Sequence, residues 1–265
     1  MKKLLFSVTL LFMGLMTSFS QTTKSFFAEL GGTYSTFQDV KFSAVSYGGV
    51  GATLKFGWQR DYPNALWNAG LDIGYGNESP NTHGATKSTV IHPKLFGRYL
   101  RKINDQWAVG GHWDILGLNI RNTEGLDNNG TWYLTHSDLF ASGTYQRGKF
   151  NFGLDLGLLT FFKERTSFAF SAPQKGLEDG DFDYQDEALD SPFGFKYFSL
   201  NALFNHLNLR TKITYQFNDR LSVGYQWQVR HFAVVENYPV TMGNHQVLVR
   251  YNIIHKTKSD STPKK

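Results

Sequence analysis

From His206 to Arg230 the chain reads HLNLRTKITYQFNDRLSVGYQWQVR, two runs of alternation around one polar turn. In the first run Leu207, Leu209, Thr211, Ile213, Tyr215 and Phe217 share one parity. His206, Asn208, Arg210, Lys212, Thr214 and Gln216 share the other. After Asn218-Asp219 the second run sets Leu221, Val223, Tyr225, Trp227 and Val229 against Ser222, Gly224, Gln226, Gln228 and Arg230. Period two about a tight turn is a β-hairpin signal. A soluble strand runs about five or six residues, whereas these arms are long enough to match the ~9–11 residues that cross a bilayer at a tilt. The hairpin therefore predicts part of a transmembrane barrel, since a closed sheet pairs every backbone N–H and C=O inside hydrocarbon.

The same signal recurs along the chain. Further strands are predicted at Phe26–Phe37, Gly49–Gln59, Leu66–Gly76, Thr89–Arg101, Gln106–Ile120, Trp132–Gln146, Phe150–Phe162 and Gln246–Ile254. With the two hairpin arms they make an all-β, antiparallel up-and-down barrel of about ten strands, eight or twelve being the alternatives. Long connections are predicted between strands one and two, three and four, five and six, seven and eight (Lys163–Tyr197), and nine and ten (Ala233–Asn244). Short turns join the rest. Outer-membrane barrels have short periplasmic turns and longer outer loops, which puts both termini in the periplasm. Aromatic residues gather at the short-turn ends: Trp58 with Trp67, Tyr99 with Trp107, and Tyr145 with Phe150. Such a row is an interfacial girdle. Pro93 falls inside the fourth strand, where it can donate no ladder hydrogen bond.

The two ends of the sequence read differently from its body. Lys2 and Lys3, the apolar run Leu4–Met16 and Ser18-Phe19-Ser20 before Gln21 form a secretory signal over residues 1–20. The run falls short of the ~20 residues a spanning helix needs. Residues 21–255 are expected to form the barrel and 256–265 a basic periplasmic tail. There is no cysteine, so neither a lipid anchor nor a disulfide supports the exported chain. The formal charge of +5 arises from Lys2, Lys3 and the tail lysines 256, 258, 264 and 265. The body between is near neutral, which gives nucleic-acid binding no support.

A signal ending SFS before Gln21, alternating strands throughout and a last strand QVLVRYNII near the C-terminus resemble the small outer-membrane β-barrel proteins of the Bacteroidota. The resemblance is one of class and spans the whole chain. It implies outer-membrane lipid, lipopolysaccharide and the barrel-assembly machinery as partners, and a monomer. Such barrels often end on an aromatic residue, whereas here HKTKSDSTPKK follows the last strand.

The lumen parity carries a charged set: His92, Lys94, Arg98, His112, Asp114, His136, Asp138, Asp155, His206, Arg210, Lys212 and Arg230. A narrow barrel must fill its interior with side chains, and buried charges must be paired. Acids on strands three and five to seven facing bases on strands four, eight and nine would do this. The rival reading is catalytic. Strands five and six each carry His-x-Asp, His112 with Asp114 and His136 with Asp138, and a loop without a bulge would set the two aspartates opposite each other. Paired carboxylates with imidazoles can perform general acid–base work. Ten-stranded omptin proteases also hold paired Asp and a His–Asp dyad, but the similarity is one of strand count and residue type, and no omptin motif is matched. Barrel deacylases and phospholipases use His and Ser two apart, facing lipid, whereas His136 and Ser137 are adjacent and face opposite ways.

Glu178–Asp190, EDGDFDYQDEALD, is strongly acidic. Asp179, Asp181 and Asp183 alternate as at the start of an EF-hand loop, but Tyr184 stands where Gly is needed and Asp190 replaces the bidentate Glu. A solvated loop is the expected reading, with weak Ca²⁺ or Mg²⁺ binding as the alternative and no other cofactor. Trp113 and Trp227 fall on the lipid parity. The sequence thus predicts an outer-membrane barrel with a charged lumen and a structural, surface-interaction or small-solute passage role. A barrel hydrolase of lipid or peptide is the alternative.

Overall fold

The computed structural model describes residues 23–40, 45–81, 87–124, 130–168, 199–203, 205–235 and 238–256. Eleven strand segments follow in order: β1 (Thr23–Asp39), β2 (Tyr47–Asp61), β3 (Ala65–Pro80), β4 (Lys87–Lys102), β5 (Trp107–Glu124), β6 (Gly130–Arg147), β7 (Phe150–Phe168), β8 (Ser199–Ala202), β9 (His206–Gln216), β10 (Leu221–Val235) and β11 (Tyr238–Lys256). Each pairs antiparallel with its neighbours, and β1 pairs with both β2 and β11, which closes the sheet. β8 and β9 both lie on β7, at Leu159–Phe162 and Phe150–Leu156 respectively. They are two pieces of one stave, so the barrel has ten. The expected up-and-down barrel is what the chain forms.

The alternation dictates which face each residue takes. On β1, Phe26, Leu30 and Tyr34 are exposed while Phe27, Glu29 and Thr33 are buried. Across the ladder Leu30 meets Leu54 and Val249, and Leu54 meets Ile73, all on the outer face. This apolar belt is what a bilayer would cover. The short-turn end carries the predicted girdle: ring centroids lie 4.7 Å apart in Trp58–Trp67, 4.7 Å in Trp107–Tyr145 and 5.0 Å in Phe150–Tyr215. Thr23 at the start of β1 pairs with both Asp61 and Lys256, so the first and last strands begin and end at that same rim. Gly148, at φ 58°, turns β6 into β7.

At the opposite rim the strands run further than expected. Asn77–Pro80, Arg121–Glu124 and Lys163–Phe168 are strand rather than loop, and the predicted 163–197 connection shortens accordingly. Ala233–Asn244 is not a long loop at all: β10 reaches Val235 and β11 starts at Tyr238. The cause is chemical. At the ends of β3, β4 and β5 the outward Asn77, Thr89 and Asn122 are polar, and so are the inward Glu78, Ser88, Arg121 and Thr123, so the alternation signal fades there although the ladder continues.

Three irregularities re-aim side chains. The β4–β5 ladder skips His92 and Pro93, where proline supplies no donor. β5 bulges between Asp114 and Gly117, and β7 bulges opposite Leu139/Phe140. After the β5 bulge the buried parity changes from His112 and Asp114 to Gly117, Arg121 and Thr123.

Candidate functional site: the charged lumen

Two residue patterns build the centre of the lumen. His112-x-Asp114 on β5 and His136-x-Asp138 on β6 each place an imidazole and a carboxylate on the inner face. Asp114 stands directly across the ladder from Asp138, and it does so beside the β5 bulge rather than through a regular hairpin. His112 reaches its aspartate through Nε2 at 2.8 Å, and His136 through Nδ1 at 2.9 Å. Glycines on the partner strands make room. A Cβ on Gly117 would overlap the His136 ring, and a Cβ on Gly74 the His92 ring. Each imidazole therefore lies flat on the strand beside it.

Both aspartates are fully buried, and each has a guanidinium from a strand three places round the barrel. Arg210 on β9 donates to Asp114 Oδ2 at 2.8 Å, and Arg230 on β10 donates to Asp138. Asn208 Nδ2 adds a bond to Asp138 at 3.2 Å. Because each carboxylate has its own arginine, the two need not share a proton. That removes the electrostatic basis of a paired-carboxylate acid and base.

The network continues around the wall. Asp155 on β7 accepts from Arg98 at 2.9 Å and Ser142 at 2.7 Å, with Arg210 Nη1 at 3.6 Å. Lys94 lies 3.6 Å from both Asp72 and Asp114, and Lys55 3.4 Å from Asp72. Lys212 pairs with Glu29 at 2.6 Å. The Asp114–Arg210, Asp138–Arg230, Asp155–Arg98 and Glu29–Lys212 pairs all join strands that are not ladder neighbours. They cross the lumen rather than run along its wall.

The predicted lumen residues Lys94, Arg98, Asp155, Arg210, Lys212 and Arg230 all enter this network, and Glu29 of β1 and Lys55 of β2 join it from outside the strands expected to supply its acids and bases. His206 goes elsewhere. Its ring stacks on Phe232 at 4.8 Å and meets Phe162 edge-on at 5.5 Å. His92 packs over Gly74 and makes no ion pair among the described residues. Asp179, Asp181 and Asp183 lie outside the described residues, as do residues 1–20 and 257–265. Among the described residues no cluster of three or more His, Asp or Glu is placed to hold a metal ion.

Sequence reasoning missed two parts of the interior. The first is Glu78, which is bonded to Arg121 and to Ser35 at 2.5 Å. Both Glu78 and Arg121 fell in segments read as loop. The second is an apolar cluster inside the long-loop end, made of Phe37, Tyr47, Trp132, Leu134, Phe162, Phe232 and Val240. Arg121 caps it, its guanidinium 4.1 Å from the Phe37 ring. The signal was available, for Phe37, Trp132 and Phe232 sit on the lumen parity of their strands. Trp113, 50% exposed, takes the lipid side as expected.

Two cavities of about 80 Å³ each flank the Asp72–Lys94–Asp114–Arg210 layer. One, toward the long-loop end, touches Ser35, His92, Arg121, His136 and Asn244. The other, toward the short-turn end, touches Phe27, Glu29, Arg98, Lys212 and Arg250.

Among solved structures the chain is similar to the outer membrane protease OmpT from Escherichia coli, with 8% identity over 91% of this chain and 99% of that one and a TM-score of 0.50. The fold is that of an outer-membrane β-barrel. The translocator domain of the autotransporter NalP from Neisseria meningitidis is also similar, with 15% identity, 94% and 95% coverage and a TM-score of 0.48. So is OprG from Pseudomonas aeruginosa, with 10% identity, 89% and 99% coverage and a TM-score of 0.34. The likeness is one of architecture. No family model and no curated protein matches the chain.

Proposed function

We propose that the chain is a closed, non-conducting outer-membrane barrel whose interior serves stability and whose work lies at its outer surface. Its short turns and both termini face the periplasm, and its partners in the membrane are lipid and lipopolysaccharide. One observation carries this reading: the ion pairs cross the lumen. Asp114 to Arg210 and Asp155 to Arg98 tie together strands three places apart in the closed sheet, and the apolar cluster of Phe37, Trp132 and Phe232 lies beyond them toward the outer rim. A pore would keep its charges on the wall, around water. A plug engages them with each other, because buried ions must be paired.

The same geometry weighs against a hydrolase. His112 and His136 are each only 8% exposed and their aspartates 0%, and a cavity of about 80 Å³ admits neither a lipid nor a peptide. A liposome-swelling assay with the refolded chain tests the proposal. Vesicles should not swell in small sugars or amino acids; swelling at a rate that rises with protein content would overturn it. A His136→Ala variant should show the same background lipid and peptide hydrolysis as the parent chain. Activity that falls on this substitution would restore the enzyme reading.

A further inference from the structure

The lower half of the lumen does not balance its charge. Taking the layer and the cavity on the short-turn side together, the cations are Lys55, Lys94, Arg98, Arg210, Lys212 and Arg250. The carboxylates are Glu29, Asp72, Asp114 and Asp155. Four carboxylates against six cations leave two positive charges in excess. Pairing by distance shows where one excess sits. Lys55 takes Asp72, Arg210 takes Asp114, Arg98 takes Asp155 and Lys212 takes Glu29. Arg250 forms no ion pair among the described residues. Glu29 is its ladder partner, yet Glu29 bonds to Lys212. Arg250 instead donates to two neutral amide oxygens, Gln59 Oε1 at 2.7 Å and Asn252 Oδ1 at 2.9 Å, with its guanidinium 4.0 Å from the Phe27 ring.

Arg250 lines the short-turn cavity with Lys212, Lys55, Arg98 and Arg210. Two of these arginines, Arg98 and Arg210, each keep a buried Nε–H with no acceptor. An unmet donor in a low-dielectric interior is costly, and so is an uncompensated charge. A concave site with one dominant sign of charge concentrates the opposite ion. The cavity of about 80 Å³ exceeds the roughly 10–15 Å³ one water requires, so it has space for several waters or one tetrahedral ion. The side chains of Lys212 and Arg98 keep 25% and 18% exposure, so solvent reaches the site.

We propose that this cavity is an anion site that takes a small oxyanion of the phosphate or sulfate type, with Arg250 as its anchor. Guanidinium forks and ammonium groups around a pocket are the chemistry that recognises such ions. The site stands apart from the question of conduction, because it is read by binding and not by flux.

The test uses the full chain refolded in detergent micelles. Thermal unfolding is followed in inorganic phosphate and in chloride at matched ionic strength, and binding is measured by equilibrium dialysis of labelled phosphate. Phosphate should raise the unfolding temperature above the chloride control, and one ion should bind per chain. Arg250→Gln should weaken binding by about tenfold or more, the expected size for one charge-assisted contact. Arg250→Lys should retain most of it. No phosphate-specific stabilisation of the wild-type chain would overturn the proposal without recourse to a variant. So would dialysis in which Arg250→Gln, shown to be folded by its β-sheet circular dichroism, binds as the wild type does.

Discussion

Removing the Asp138 carboxylate should destabilise the barrel far more than removing the whole ion pair that contains it. Asp138 is 0% exposed and Arg230 4%. In Asp138→Ala the Arg230 guanidinium keeps, among the described residues, only His136 Nδ1, at 3.3 Å, as a hydrogen-bonding neighbour, and its Nε has no acceptor among them. Stranding one member of a buried ion pair costs about 3–5 kcal/mol. That is a large share of the ~5–15 kcal/mol that usually holds a folded chain. Asn208 still accepts a bond from Gln228 at 2.9 Å through its Oδ1, but its buried Nδ2–H loses the Asp138 acceptor, which adds about 1–3 kcal/mol in any variant lacking that carboxylate. In the double variant Asp138→Leu/Arg230→Met no charge is stranded, and apolar replacement of buried pairs is often near neutral. The double variant keeps the Asn208 cost but strands no charge, and should therefore lose clearly less than Asp138→Ala does. Equilibrium urea unfolding in lipid vesicles, followed by tryptophan fluorescence, measures both. An Asp138→Ala loss below about 1 kcal/mol would show that water already solvates the pair. A double variant as unstable as the single would show that packing, not charge, is what matters at this position.

Other perturbations follow from the same interior. Gly117→Ala should cost about 1–3 kcal/mol, the usual penalty of overpacking, because its Cβ would overlap the His136 ring, whereas Gly32→Ala, with open space around the new methyl, should be near neutral; urea midpoints compare them. Leu30→Arg places a charge on the apolar belt, where the residue is 64% exposed, and should lower stability in vesicles by about 2–4 kcal/mol if the belt lies at mid-bilayer. Trp132→Ala should cost about 3–5 kcal/mol through the apolar cluster yet leave vesicles impermeable, because the ion layer beneath it is untouched; a leaky Trp132→Ala barrel would assign closure to the cap instead.

The wall of this barrel was legible in the sequence, and its filling was legible only in part. Strict alternation assigned Asp155, Arg210 and Arg230 to the inner face because a β-strand has only two faces. The inward facing of Asp114 and Asp138 was legible from the matched His-x-Asp patterns, but their opposition, expected of a loop without a bulge, comes instead from the β5 bulge. That bulge was not legible, since nothing in Asp114–Gly117 departs from an ordinary strand composition. Arg121 and Glu78 were lost with the strand ends that carry them, where polar residues on both faces erase the period. His206 was grouped with the charged residues by parity alone, but parity says inward and not beside what. Phe232 is its ladder partner on β10, whereas Phe162 of β7 is not in register with it and reaches its level through the stagger of the staves.

Whether side chains close the lumen decides whether the barrel conducts. Single-channel recording of the refolded chain in a planar bilayer asks this directly. Fusion of folded protein should leave the baseline flat at physiological salt and moderate voltage. Regular, unitary current steps from the unmodified chain would show a water path past Asp114 and Arg210 and would contradict the plug.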